Sequence, residues 1–150
     1  MTASILVFPG SNCDADIANS INSLSGKKAN FVWYNDKIPN NTDLIVIPGG
    51  FSFGDYLRSG SIASTSTILS QVKELANKGV PILGICNGFQ ILTEAKLLPG
   101  TLILNNNLKF ICKEIDLKIS NNKSIFTKEL PNDIIRMPIA HIMGNYRVSQ

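Results

Sequence analysis

The sequence predicts an α/β domain built on a parallel sheet with helices on both faces. Short continuous apolar runs recur along the first hundred residues, as strands buried on both faces do. Stretches between them carry apolar residues at helical spacing, and strand–helix–strand repetition makes a parallel sheet covered on both sides. No internal repeat, low-complexity tract or linker divides the chain, so residues 1–150 are expected to form one domain.

The first run, SILVF (4–8), reads as a strand, and Cys13 to about Leu24 as a helix with Asn12 or Ser11 as its N-cap. NFVWY (30–34) and DLIVIPGG (43–50) are the next two strands. Ile62, Leu69, Val72, Leu75 and Ala76 then recur at helical spacing, which predicts a single crossover helix stopped by Gly79. VPILGIC (80–86) is the fourth strand, and a helical pattern follows it directly. Past LLPG (97–100) the character changes. Leu108, Phe110 and Cys112, then Ile115, Leu117 and Ile119, alternate with polar residues, as strands with one wet face do. IIRMPIA (134–140) reads as a further short strand.

Composition narrows the function. Apolar residues make up 44% of the chain and charged residues 17%, the balance of a folded globular protein. The formal charge is only +3 and the lysines are scattered, which argues against nucleic acid as a partner. No apolar run approaches the roughly 20 residues of a membrane span, and MTASILVFPGSNCD lacks the basic start of a signal peptide, so a cytoplasmic protein is expected. Three cysteines without a C-x-x-C pair and a single histidine support neither a disulfide framework nor a metal site.

Gly84, Cys86 and Gly88 form G-x-C-x-G at the strand-to-helix junction, the thiol counterpart of a nucleophile elbow. Glycines two residues either side remove side chains that would collide with the sheet and the following helix. Such a turn aims the sulfur above the carboxyl ends of the strands, where open α/β sheets bind ligands. It also sets the sulfur at a helix N-terminus, which favours the thiolate. VIPGGFSFGDYLRSG (46–60) ends another strand at the same edge. Gly49 and Gly50 let backbone N–H groups approach a ligand, as an oxyanion hole requires, with the N–H of Gly50 and of Asn87 as its two donors. Taken singly, the spacing also fits a small buried cysteine, and Gly-Gly a plain turn.

Taken together, FPGSNCD (8–14), PGGFSFGDYLRSG (48–60), GICNGFQIL (84–92), LLPG (97–100), NLKFIC (107–112) and PIAH (138–141) resemble the class I glutamine amidotransferases, and among them the glutaminase subunits of phosphoribosylformylglycinamidine synthase. The resemblance implies a flavodoxin-like sheet and a glutaminase of purine biosynthesis. It implies Cys86 as the nucleophile that attacks the side-chain amide of glutamine and forms a glutamyl thioester. Gly50 and Asn87 then match the oxyanion donors, Gln90 helps hold the substrate, and Phe51 and Phe53 flank its pocket. Asp55, Tyr56 and Arg58 fall near a partner surface. The implied partners are a synthetase subunit that receives ammonia and a small bridging subunit. With no phosphate-cradling motif in this chain, no cofactor is expected on it, and ATP and Mg belong to the synthetase.

A cysteine nucleophile needs a base and a group to orient it. The family supplies both from an H-P-E motif near its C-terminus, and the 150 residues contain none, so the expectation is a glutaminase lacking its C-terminal third. His141 falls at the PIAH position, away from the family's base, and is expected to be structural or to line a pocket. HIMGNY (141–146) stands where the family usually has HGEGNY, so Ile142 and Met143 alter the end that would hold the amino-acid part of glutamine. Two rivals remain: a DJ-1/PfpI-like cysteine enzyme on a similar sheet, and an inactive relic or regulatory module that only binds the synthetase.

Overall fold

Strand β1 (Ala3–Val7) runs through the middle of a four-stranded sheet, and the reason is its sequence: Ala3 through Leu6 are all buried, which demands cover on both faces. β2 (Asn30–Trp33) and β3 (Leu44–Ile47) flank it and β4 (Ile82–Gly84) lies beyond β3, giving the order β2-β1-β3-β4 with every pairing parallel. These pairs fix the register, for example Ile5 beside Phe31 and beside Val46. The computed structural model describes residues 1–148. They divide into one unit of residues 1–102 with the tail from Tyr146, and a second of residues 103–145.

Alternate residues of each strand face opposite sides, so the first unit has two cores. On one side Ala3, Ile5 and Val46 meet Ala18 of α1 (Asp14–Ser25), with Ile17 and Ile21 packed against them. On the other, Leu6, Phe8, Ile45 and Ile47 pack with Ala63 of α2 (Ser61–Ser64), with Ile68 and Val72 of α3 (Thr67–Asn77), and with Ile91 and Leu92 of α4 (Asn87–Glu94). Each buried aliphatic side chain of this kind contributes roughly 1.5–3 kcal/mol. The crossovers leave β1 and β3 in opposite directions, which makes the gap between their carboxyl ends the switch point of the sheet.

Two local expectations are corrected. The crossover helix is broken in two at Thr65 and Ser66, with Ser66 extended (φ −68°, ψ 149°). Ser64, Thr65 and Ser66 donate their hydroxyls to the carbonyls of Ser61, Ile62 and Ala63 at 2.6–2.8 Å, the local back-bonding that competes with helical continuation. Gly79 does end α3, with φ 85° and its N–H on Ala76 O. For α1 the N-cap is Cys13, neither Asn12 nor Ser11. The Ser11 hydroxyl accepts from Phe8 N–H instead, which ties off the end of β1.

In the second unit, β6 (Ile111–Lys118) and β7 (Ile134–His141) form an antiparallel ladder whose half-buried face carries Ile111, Ile115 and Leu117 with Ile135, Ile139 and His141. Leu108 and Phe110 are outside it, in a turn. The buried Asn105 sets that turn: its amide donates to Lys109 O and His141 O and accepts from Gly144 N–H. The described elements also include the short strands β5 (Thr101–Ile103) and β8 (Asn145–Arg147).

Candidate active site

Cys86 leaves β4 with φ 50° and ψ −107°, a conformation no ordinary L residue adopts without cost, and α4 begins at the next residue. The two flanking glycines are required by packing. A Cβ on Gly84 would lie 2.6 Å from Leu92 Cδ1 and 2.8 Å from the Gly88 backbone, and a Cβ on Gly88 would run into the Ile47 carbonyl. The G-x-C-x-G spacing is therefore the signature of a helix pressed onto a strand with the thiol thrown outward.

Gly49 borders two cysteines. A Cβ built on it would stand 3.5 Å from Cys86 Cβ and 3.6 Å from Cys13 Sγ. Gly50 has φ 141° and pairs as an isolated bridge with Ser11. The bonds of that bridge come from its neighbours, Phe51 N–H to Gly10 O at 2.8 Å and Asn12 N–H to Gly49 O at 3.1 Å. In such a pair the N–H of Gly50 itself points out of the ladder, away from Ser11. The carboxyl ends of β1, β3 and β4 thus bring Cys13, Gly49–Gly50 and Cys86 to one edge.

The loop after Gly50 is held in an unusual shape. Phe53, Gly54, Asp55 and Leu57 all have φ between 52° and 69°, and for the three that are not glycine this costs roughly 1–2 kcal/mol each. Packing and hydrogen bonds offset it. The Phe53 ring meets Phe8 at 6.4 Å and Tyr34 at 5.3 Å, both edge-on, while Phe51 is exposed. The two phenylalanines expected to flank a pocket therefore differ, one packed inward and one open to solvent. Asn87, only 2% exposed, accepts from Ser52 N–H at 3.1 Å and donates to Asp55 Oδ1 at 3.1 Å and to Gln90 Oε1 at 3.0 Å. Gln90 is buried. Arg58 pairs with Glu94 at 2.6 Å, and Tyr56 and Leu57 are largely exposed.

The electrostatics do not follow the expectation of an acidified thiol. Partial enclosure of its sulfur pushes Cys86 up; the Asn87 backbone N–H, bonded to that sulfur, pulls it down, and the Cys13 and Asp55 groups push it further up. Burial likewise raises Asp55, against the hydrogen bonds from Ser59 and Asn87.

Sequence reasoning named Cys86, Gly50, Asn87, Gln90, Phe51 and Phe53. It missed Cys13, the inward turn of Asp55 and the work of the Asn87 side chain. The signal for Cys13 was present, since FPGSNCD ends the central strand at the same edge. His141 belongs to the second unit, where its Nδ1 lies 3.2 Å from Asn105 Oδ1 on the wall of a hollow of about 380 Å³. Among the described residues no cluster of histidine, cysteine or acidic groups could hold a metal ion, and no helix is long and apolar enough to cross a membrane.

Comparison with known proteins gives the same reading. Residues 1–150 match the family described as CobB/CobQ-like glutamine amidotransferase domain. The chain is 51% identical over 152 residues to phosphoribosylformylglycinamidine synthase subunit PurQ of Zymomonas mobilis, a match that covers all of this chain and 69% of that protein. It superposes on a chain of the structure of PurLQS from Thermotoga maritima with a TM-score of 0.92 and 43% identity, over 99% of this chain and 70% of that one. A strained thiol elbow beside a Gly-Gly turn, the open α/β sheet beneath it and these likenesses agree: the chain belongs to the CobB/CobQ-like glutamine amidotransferase family.

Proposed function

We propose that this chain is the glutaminase subunit of phosphoribosylformylglycinamidine synthase, with residues 1–150 acting as one glutaminase domain. The observation that carries the reading is the placing of Cys86, at φ 50°, against Gly49–Gly50 at the switch point of the sheet. The 51% identity to a PurQ subunit supports glutamine as substrate and purine synthesis as setting.

In this reading the Cys86 thiolate attacks the side-chain amide carbon of glutamine. Negative charge develops on the amide oxygen, and the N–H groups of Gly50 and Asn87 receive it, each such donor commonly worth about 10²–10³ in rate. Collapse expels ammonia, and water hydrolyses the thioester to glutamate. Enclosure of the sulfur pushes its pKa up and favours the protonated form, so the attack calls for a group that accepts the thiol proton. We assign that acceptor to an H-P-E histidine of the kind the family carries, His141 Nδ1 being engaged by Asn105. Gln90 and Phe51 border the substrate, and Phe53 fixes the loop. Ammonia passes to a synthetase subunit that uses ATP and Mg, with a small bridging subunit alongside; the likeness to the PurLQS structure supports these partners, and the biosynthetic setting supports a cytoplasmic site.

The test is synthesis by the assembled complex with glutamine or with free ammonia as nitrogen source. Cys86→Ala should abolish glutamine-dependent synthesis and spare the ammonia-dependent reaction. Glutamine-dependent synthesis that survives Cys86→Ala would overturn the proposal.

A further inference from the structure

We propose that the side chain of Asn87 is a positioning device that latches the 51–57 loop and thereby sets the spacing of the two oxyanion donors, a role separate from that of its backbone N–H. The proposal rests on the glutaminase reading for its catalytic consequence and on geometry for the latch.

Asn87 follows the nucleophile directly, and its amide bridges three places: Ser52 N–H at the start of the strained loop, Asp55 Oδ1 within it, and Gln90 Oε1 one turn along α4. Ser52 N–H can only donate and a carboxylate can only accept, so the amide fits in one orientation. Both N–H donors of Nδ2 are used. The loop needs such a tie because Phe53, Asp55 and Leu57 sit in the left-handed region without being glycine. Its other backbone ties include Phe51 N–H to Gly10 O and Phe53 N–H to Pro9 O, both on the β1 side, so Asn87 joins residues 51–57 to the helix of the nucleophile, alongside the Arg58–Glu94 pair just beyond the loop. Ser52 is itself buried and its hydroxyl has no hydrogen-bond partner, so the loop at this point is held by its backbone N–H on Asn87. Gly50 lies two residues before Ser52. Fixing Ser52 to Asn87 therefore fixes one donor of the pair relative to the other, Asn87 N–H, which already bonds the Cys86 sulfur.

The test is an exchange of the two groups. Asn87→Asp sets two carboxylates together and should open the latch. Asp55→Asn in the same chain restores a donor–acceptor pair with the roles reversed: the carboxylate now at position 87 still accepts from Ser52 N–H, and Gln90 can turn its amide to donate. Two readouts are needed: hydrogen exchange of the Ser52 amide in the full chain by NMR, and kcat and KM for glutamine in the assembled complex. Asn87→Ala and Asn87→Asp should speed Ser52 exchange by about tenfold or more and lower kcat about 10²-fold, as loss of one oxyanion donor does, with KM changed little. The double variant should regain most of both. Ser52 exchange unchanged in the single variants, or a double variant no better than Asn87→Asp, overturns the latch. A wild-type complex without glutamine turnover overturns the glutaminase reading instead, and the Ser52 exchange still decides the latch.

Discussion

Cys13 and Cys86 both border Gly49, whose missing side chain would lie 3.6 Å from Cys13 Sγ and 3.5 Å from Cys86 Cβ. These are ordinary van der Waals separations, so a methyl group fits there. Gly50 is different: at φ 141° a Cβ would lie 2.6 Å from Asn12 N and Gly10 O, which are backbone atoms that cannot step aside. Gly49→Ala should therefore cost less than about 1 kcal/mol of stability, and Gly50→Ala about 2–3 kcal/mol or more. Denaturant titration of the two variants checks the difference; equal losses would contradict it.

Alkylation of Cys86 should need alkali. Burial pushes its thiol above the ordinary range, and the Asn87 N–H does not compensate. The iodoacetamide rate at Cys86, mapped by mass spectrometry, should still be climbing as pH passes about 8.5, where a free thiol is half ionised. A rate already level at neutral pH would show an acidified thiolate.

Asp55 should make the protein less stable as pH rises. Its carboxyl is raised by burial, so between its unfolded and folded pKa values the native state holds the proton more tightly than the unfolded chain does. Stability from this group is thus present at acid pH and lost on ionisation as pH climbs through the upper carboxylate range. Asp55→Asn should remove that slope, so that the variant gains relative to wild type on going from acid to neutral pH. Parallel curves for the two would refute the assignment.

His141→Ala should leave glutaminase turnover nearly untouched, because His141 falls at the PIAH position and its Nδ1 is engaged by Asn105. A polypeptide of residues 1–150 tested alone, with this as its sole histidine, should run slower than one joined to an H-P-E segment by the roughly 10²–10⁴ that general acid–base catalysis provides. A robust rate from residues 1–150 that His141→Ala removes would make His141 the base.

The sheet was legible in the sequence because burial on both faces leaves an unbroken apolar run, as in β1 and β3. The elbow was legible because its glycines stand at a fixed local spacing either side of Cys86, whatever they make room for, Leu92 at Gly84 and the Ile47 carbonyl at Gly88. What escaped depends on partners distant in sequence. Nothing local in GFSFGD shows that Asp55 will meet Asn87, 32 residues on, or that this contact turns the carboxylate inward. The break at Thr65–Ser66 was hidden for another reason: three hydroxyls choose their own turn's carbonyls over continued helix, while the apolar spacing runs through the break undisturbed.

Strand β4 has a further consequence for how the protein fails. Among the described strands it pairs only with β3, so one side is an open sheet edge, yet it offers only Ile82–Gly84, preceded by Pro81, which has no N–H to give. An edge so short is a poor template for recruiting strands from other copies. The apolar hollow of about 270 Å³ between Ile17 and Ile21 on one side and Leu44, Val46, Leu83 and Ile85 on the other has no such protection. Association through this face should therefore rest on greasy side-chain contacts that dilution reverses, with no strand added to β4.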